Sequence, residues 1–73
     1  MYSKLRKIRN NNQYTVQQMA DMLGISKSFY SQLETRNRRL FYDMAVKIAT
    51  IFNMRPDEIF YDDHINNKKE KTN

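Results

Sequence analysis

Four residues near the middle of the chain have side chains that suit contact with nucleic-acid bases. Lysine can donate to guanine and glutamine can bond adenine through two atoms, which makes Lys27 and Gln32 candidates. Ser28 lies four residues before Gln32, so the two share one face of a helix. The Phe29 ring can contact a thymine methyl group. We predict base recognition by Lys27, Ser28, Phe29 and Gln32; the alternatives are a solvated helix face and, for Phe29, partial core.

Residues on either side of this group suit the phosphate backbone instead. Arg36, Arg38 and Arg39 form a basic run that can grip the phosphates flanking a groove, and the alternative is a solvated charge cluster. Backbone N–H groups at the start of a helix, expected near Thr15, suit a phosphate oxygen, and the alternative there is plain capping. The predicted phosphate contacts are Thr15, Val16, Gln17, Ser31, Arg36, Asn37, Arg38 and Arg39.

The positive charge is concentrated in the first half of the chain. The 73 residues include thirteen Lys and Arg against eight Asp and Glu, a formal net charge of +5. Residues 1–40 have a net charge of +6, whereas residues 41–73 have a net charge of −1. An excess confined to one half favours a basic face that binds a polyanion. The alternative is a protein whose surface is merely positive.

The composition excludes several other classes of function. The chain has no cysteine and one histidine, His64, so it lacks a disulfide framework and a thiolate metal site. It has no glycine-rich phosphate loop and no pair of residues for nucleophilic catalysis. No run of about 18 apolar residues could span a membrane, and charges replace the apolar core of a signal peptide in MYSKLRKIRNNN. We expect a cytoplasmic protein that is not an enzyme and binds no metal or cofactor.

The elements that position these residues are predicted to be helices. Glycine and proline occur once each, at Gly24 and Pro56, which argues against a many-turned β protein. Apolar spacing predicts helices at about 3–11, 15–23, 26–35 and 42–53, and a short fifth helix that starts at Pro56. We expect one domain over residues 1–65. The segment NNKKEKTN at 66–73 has no apolar residue and is expected to be a disordered polar tail.

Helix boundaries are marked by residues with well-defined capping roles. Ser3 and Ser26 are candidate N-caps of the first and third helices. Thr15 with Gln18 three residues later is typical of a capping box. Gly24 stands where the chain needs a left-handed residue to leave the second helix. The second and third helices are therefore separated by about three residues, the spacing of a helix-turn-helix, whose second helix enters a DNA major groove.

The packing that a helix-turn-helix requires is also present in the sequence. Ala20 is small where the two helices cross, and Ile25 can anchor the turn in the core. Tyr30 and Leu33 can hold the third helix against the core while its other side stays exposed. Tyr30 is larger than the aliphatic residue expected there, and its hydroxyl needs water or a hydrogen-bond partner.

The stretch TVQQMADMLGISKSFYSQLE resembles the helix-turn-helix of the Xre/Cro family of phage and bacterial repressors. LRKIRNNNQYT resembles the first helix of that family, and MAVKIATIFNMRPDEIF its fourth and fifth helices, so the resemblance covers about residues 4–60. It implies an all-α fold, a compact five-helix lambda-repressor-like DNA-binding domain. It also implies a structural salt bridge between Arg9 and Glu34, with a phosphate contact by Arg9 as the alternative, and a homodimer on a near-palindromic operator.

The chain departs from this family pattern at three places. Val16 replaces a glutamine that often follows the cap of the second helix. Thr35 and Arg36 replace an Asn-Gly pair, so the third helix either continues or ends differently. Leu40 replaces a frequent proline before the fourth helix.

Apolar residues beyond the core stripes are candidates for a dimer contact. The predicted dimer residues are Met54, Phe60, Tyr61 and Ile65, and the alternative is that they complete the core of one subunit. His64 lies between Asp63 and Ile65 and is expected on the surface.

These features together predict a sequence-specific regulator that binds double-stranded DNA, a small phage or mobile-element repressor. Antitoxins and the controllers of restriction operons also bind DNA, and they remain as alternatives. A third alternative is a protein-interaction module that kept the fold without DNA binding. Because no second domain is expected, control would come from concentration, operator competition or a protein antagonist.

Overall fold

A computed structural model describes residues 1–61. Helices α1 (Ser3–Asn11), α2 (Val16–Leu23), α3 (Lys27–Thr35) and α4 (Tyr42–Ile51) are followed by a fifth helix, α5, described at residues 56–61. No strand occurs between residues 1 and 61, so the predicted all-α fold of five helices is confirmed. The predicted tail at 66–73, and the domain end at 65, lie outside the described residues.

All five helices contribute to one core. Leu5 comes from α1, Ala20 from α2, Tyr30 from α3, Ile48 from α4 and Ile59 from α5, and each of these residues is fully buried. Fully burying a side chain of the size of Leu5, Ile48 or Ile59 stabilises the fold by about 1.5–3 kcal/mol. In the part of the chain described, none of the helices is long and apolar enough to cross a membrane.

The starts of α2 and α3 are capped as predicted. The Thr15 hydroxyl accepts from the Gln18 N–H at 3.0 Å, and the Thr15 N–H donates to the Gln18 side chain at 2.8 Å, which completes the capping box. Ser26 caps α3 by accepting from the Phe29 N–H at 3.0 Å.

The predicted cap at Ser3 is wrong. Ser3 is the first helical residue, Tyr2 occupies the N-cap position, and no side-chain cap bond forms there among the described residues. The cause is tertiary, because the Tyr2 N–H donates to the Glu34 carbonyl at 3.0 Å. This bond holds the chain at Tyr2 and starts α1 one residue earlier than the local sequence indicates.

Helices α1 to α4 all end in the same way. After each helix a left-handed residue is followed by an amide that donates to the carbonyl five residues earlier, a Schellman motif. The left-handed residues are Gln13, Gly24, Arg36 and Asn53. The role predicted for Gly24 is confirmed, with φ at 71°. Helix α3 does not continue into the loop, because Arg36 adopts a left-handed φ of 68° and the helix ends at Thr35.

The fourth and fifth helices differ slightly from prediction. Helix α4 ends at Ile51, two residues before the predicted end, because Asn53 adopts a φ of 56° and turns the chain. Helix α5 begins at Pro56 as predicted. The Arg55 N–H donates to the Glu58 carboxylate at 2.7 Å, which caps this start.

Candidate nucleic-acid interface

Helices α2 and α3 form a compact pair joined by the turn at residues 24–26. Ala20 is fully buried where α2 meets the core, and Ile25 packs against the same core from the turn. Tyr30 and Leu33 fix the inner side of α3, and both are buried. The opposite side of α3 therefore remains available to a partner.

The outward side of α3 carries the residues predicted to recognise bases. Lys27, Ser28 and Ser31 are exposed, whereas Phe29 and Gln32 are half-buried. Ser28 and Gln32 are one turn apart on this side, as predicted. The structure thus brings the four candidate base-recognition residues onto one surface, and we call the surface of Lys27, Ser28, Phe29, Ser31 and Gln32 the outer face of α3.

A buried polar cluster fixes the orientation of α3. Arg9 in α1 holds the Glu34 carboxylate through two hydrogen bonds, Nε to Oε2 at 2.9 Å and Nη2 to Oε1 at 3.0 Å. A third donor is the Tyr30 hydroxyl, 2.8 Å from Oε2. Arg9 Nη1 also donates to the Tyr14 carbonyl at 2.9 Å. The cluster thus joins α1, the connection after it and the end of α3.

This cluster explains why a tyrosine occupies an inner position of α3. The ring fills the core, and the hydroxyl that needed a partner donates to Glu34. Burial, with the added hydrogen bond to Glu34, raises the pKa of Tyr30 well above its ordinary value. The hydrogen bond to Glu34 raises the pKa of Arg9 against the opposing effect of burial. Across residues 1–61, every buried side-chain nitrogen and oxygen has a hydrogen-bond partner.

The same cluster shapes the charge of the surface. Glu34 is the only acidic residue between positions 22 and 42, and it is 5% exposed and paired with Arg9. Lys27, Arg38 and Arg39 are exposed along this described stretch, and Arg36 is half-buried. Because the one carboxylate of the stretch is buried, the outer face of α3 and the loop that follows it present positive charge to solvent.

The three arginines of the loop at residues 36–39 are each placed over an aromatic ring. The guanidinium of Arg36 lies 4.7 Å from the centroid of the Tyr2 ring. That of Arg39 lies 5.2 Å from the Phe41 ring. Arg38 lies 4.5 Å from the ring of Phe29, on the outer face of α3. Such contacts favour fixed positions for the cationic groups.

Helices α2 and α3 are two short helices joined by a tight turn. The buried cluster fixes the second helix against the core, and the basic outer face of that helix stays exposed. This arrangement is a helix-turn-helix. A family model for the helix-turn-helix domain matches residues 2–61. The chain belongs to the helix-turn-helix domain family. No curated protein and no solved structure matches it significantly. Membership of this family indicates a DNA-binding regulator, and α3 is the second helix of the helix-turn-helix pair.

The start of α2, a predicted phosphate site of this helix-turn-helix domain, is partly engaged within the chain. The Thr15 hydroxyl and the Gln18 N–H bond each other in the capping box. The Gln17 side-chain nitrogen donates to Asp21 at 2.8 Å, so a phosphate would compete with that carboxylate. Val16 is half-buried against the core.

The predicted dimer residues are used mainly inside the helix-turn-helix domain. Met54 and Phe60 pack against the core, and the Phe60 ring meets the Tyr2 ring edge-on with centroids 5.0 Å apart. Tyr61 is 56% exposed and remains available for contact. Ile65, like His64, lies outside the described residues.

Two exposed aromatic residues were not predicted from the sequence. Phe41 and Tyr42 are 61% and 75% exposed at the start of α4. Tyr42 borders a groove of about 360 Å³ that Tyr2, Leu40 and Tyr61 also line. The signal that could have identified them is their position, because an aromatic pair stands where a helix start usually has a polar cap.

The described part of the helix-turn-helix domain shows no cluster of metal-binding residues. Between residues 1 and 61, no three His, Cys, Asp or Glu side chains lie close enough together to hold an ion.

Proposed function

We propose that the chain is a sequence-specific regulator of transcription of the Xre/Cro type that binds double-stranded DNA, in the simplest case as a small phage or mobile-element repressor. Helix α3 lies in the major groove in this proposal. The observation that carries it is the outer face of α3, where Lys27, Ser28 and Gln32 present hydrogen-bonding groups on a helix whose own carboxylate, that of Glu34, is buried.

The residues divide by the part of the DNA that they contact. Lys27, Ser28, Phe29 and Gln32 contact base edges. The contacts that set the register of the protein on the duplex come from the start of α2, Ser31 and the loop after α3. The phosphate-contacting residues are Thr15, Val16, Gln17, Ser31, Arg36, Asn37, Arg38 and Arg39.

Two subunits acting together would match a near-palindromic operator. A symmetric dimer places its recognition helices about 34 Å apart, one helical turn of DNA. In this proposal the dimer contact involves Tyr61 and Ile65, with Met54 and Phe60 supporting it from the core. The regulator acts in the cytoplasm, and a protein antagonist is a further proposed partner.

The exposed aromatic residues favour one alternative, a module that binds proteins and has lost DNA binding. Tyr42 and Tyr61 present apolar area around the groove beside α5, and Phe41 is exposed at the start of α4. An antitoxin or a restriction-operon controller would combine such a surface with DNA binding. The basic outer face of α3 supports DNA binding over a purely protein-binding role.

The salt dependence of duplex binding tests the proposal. The three arginines assigned to phosphate, Arg36, Arg38 and Arg39, lie beside α3. If all three contact phosphate, log K falls against log salt with a slope of about −2.7 per subunit. Fluorescence anisotropy with a mixed-sequence duplex measures this slope. Arg39→Ala should make the slope less steep by about one, whereas the matched control Arg55→Ala should leave it unchanged. A flat salt response of the wild-type chain would contradict the proposal.

A further inference from the structure

The side chain of Arg38 folds back onto the outer face of α3. Its Nε donates to the Gln32 side-chain oxygen at 3.0 Å, and its guanidinium lies over the Phe29 ring at 4.5 Å. Its backbone N–H donates to the Gln32 carbonyl at 3.1 Å. Arg38 is thus tied to two of the residues that recognise bases, and we call Phe29, Gln32 and Arg38 the arginine clasp.

The arginine clasp determines which end of the Gln32 amide is available. A guanidinium has donors only, so the Gln32 atom that faces it must be the oxygen, whichever way the amide is assigned. The amide nitrogen, a donor, is then the end of the amide that Arg38 does not engage. Within residues 1–61, no hydrogen bond to another group uses this nitrogen or the two terminal nitrogens of Arg38.

The donors left available match one base better than the others. A two-atom contact of glutamine with adenine needs the amide oxygen to accept from N6 while the nitrogen donates to N7. In the arginine clasp Arg38 occupies one of the two lone pairs of that oxygen, and the oxygen points toward the guanidinium. Guanine presents two acceptors, O6 and N7, in the major groove, and these suit a surface whose unengaged groups are mainly donors.

We infer that Arg38 is a specificity-determining residue, which with Gln32 selects guanine over adenine at one position of each half-site. The inference rests on the proposed function, since it requires α3 to lie in the major groove. It changes the role of Arg38 from the phosphate contact that the sequence predicts to a base-selecting one. Phe29 holds the guanidinium in place by stacking beneath it.

Selection of bound sites from a library of random duplexes, at one fixed salt concentration, tests the inference. The wild-type chain should enrich a motif with guanine at one position of each half-site. Arg38→Ala releases the Gln32 amide oxygen, so the preference at that position should shift from guanine toward adenine by about tenfold or more. The matched control Arg39→Ala removes a neighbouring arginine outside the clasp and should enrich the wild-type motif with lower affinity.

The outcomes separate the inference from the proposed function. If Arg38→Ala enriches the unchanged wild-type motif with lower affinity, Arg38 is a phosphate contact and the inference is overturned while the proposed function stands. Gln32→Ala identifies the positions of the motif that depend on Gln32. If the wild-type motif has adenine at every one of these positions, the inference is overturned while the proposed function stands. If the folded wild-type chain enriches no motif, the proposed function fails and the inference with it. Circular dichroism of each variant shows that it is folded; Arg38 is exposed, so its removal leaves the core intact.

Discussion

Arg9 and Glu34 are joined by two parallel hydrogen bonds, of 2.9 and 3.0 Å, that link α1 to the end of α3. Both residues are buried, with exposures of 9% and 5%. A paired arginine fork of this kind fixes direction as well as distance. The outer face of α3 is therefore oriented by a contact made on the opposite side of the helix.

Glu34→Gln should lower the free energy of unfolding by about 3–5 kcal/mol, because it leaves the Arg9 cation buried without a counter-charge. Urea denaturation followed by circular dichroism measures the change. The matched control is Glu58→Gln, which makes the same substitution at an exposed carboxylate. The Glu58 carboxylate accepts a hydrogen bond from the Arg55 N–H, and the amide oxygen of glutamine can accept the same bond. Glu58→Gln should cost less than about 1 kcal/mol. Equal losses in the two variants would contradict a structural role for the pair.

Tyr30→Phe should change how stability depends on pH. An unfolded tyrosine ionises near pH 10, whereas burial and the bond to Glu34 keep the native Tyr30 protonated above that pH. Above about pH 10 the unfolded chain then binds fewer protons than the native chain, so stability falls as the pH rises. The stabilisation by the protonated Tyr30 hydroxyl is fully present below that pH. Tyr30→Phe should lower stability by about 1.5–3 kcal/mol at neutral pH and make the alkaline fall shallower.

The control for this prediction is Tyr42→Phe, since Tyr42 is 75% exposed. Urea unfolding at a series of pH values should give the wild-type profile for Tyr42→Phe and the shallower one for Tyr30→Phe. A Tyr30→Phe profile that runs parallel to the wild-type curve above about pH 10 would be inconsistent with a raised pKa for this hydroxyl.

Substitutions at two left-handed helix ends should have opposite effects. Among the described residues no atom lies within 4 Å of a Cβ built on Gly24, so the cost of Gly24→Ala comes from its φ of 71° alone. It should be about 1 kcal/mol. Gln13 has a φ of 59° and is exposed, so Gln13→Gly should raise stability by up to about 1 kcal/mol. Thermal or urea unfolding measures both, and a loss on Gln13→Gly equal to that on Gly24→Ala would refute the explanation.

Gln32→Ala should reduce the difference in affinity between the selected site and a random duplex by about 1–3 kcal/mol. Gln17→Ala serves as the control, because Gln17 lies at the start of α2 and is predicted to contact phosphate. It should weaken binding to both duplexes alike. Anisotropy titrations at one salt concentration measure the four affinities. If Gln32→Ala also weakens both duplexes equally, Gln32 does not recognise a base.

The sequence predicts features that are local in origin. The capping box at Thr15, the Ser26 cap and the left-handed Gly24 each depend on residues within one or two turns, so their residue types are sufficient evidence. The apolar stripes of α2 and α4 are local in the same sense. These features position the helix-turn-helix, and for this reason its outer face could be located without coordinates.

Three features that the residue types do not signal could not be predicted. The start of α1 is set by the bond from Tyr2 to Glu34, across 32 positions of the chain. Arg36 ends α3 in a conformation that arginine rarely adopts, so its residue type carries no signal for it. The arginine clasp needs that turn, because only then does Arg38 return to α3.

Amide chemical-shift mapping by NMR tests whether the outer face of α3 and its flanking backbone contact DNA. The isotope-labelled chain is titrated with a mixed-sequence duplex at low salt, and the amides whose shifts change are recorded. We expect the changes to concentrate at residues 15–18, 27–32 and 36–39. Changes confined to residues 41–61, around the exposed aromatic groove, would contradict this expectation, as would the absence of any change.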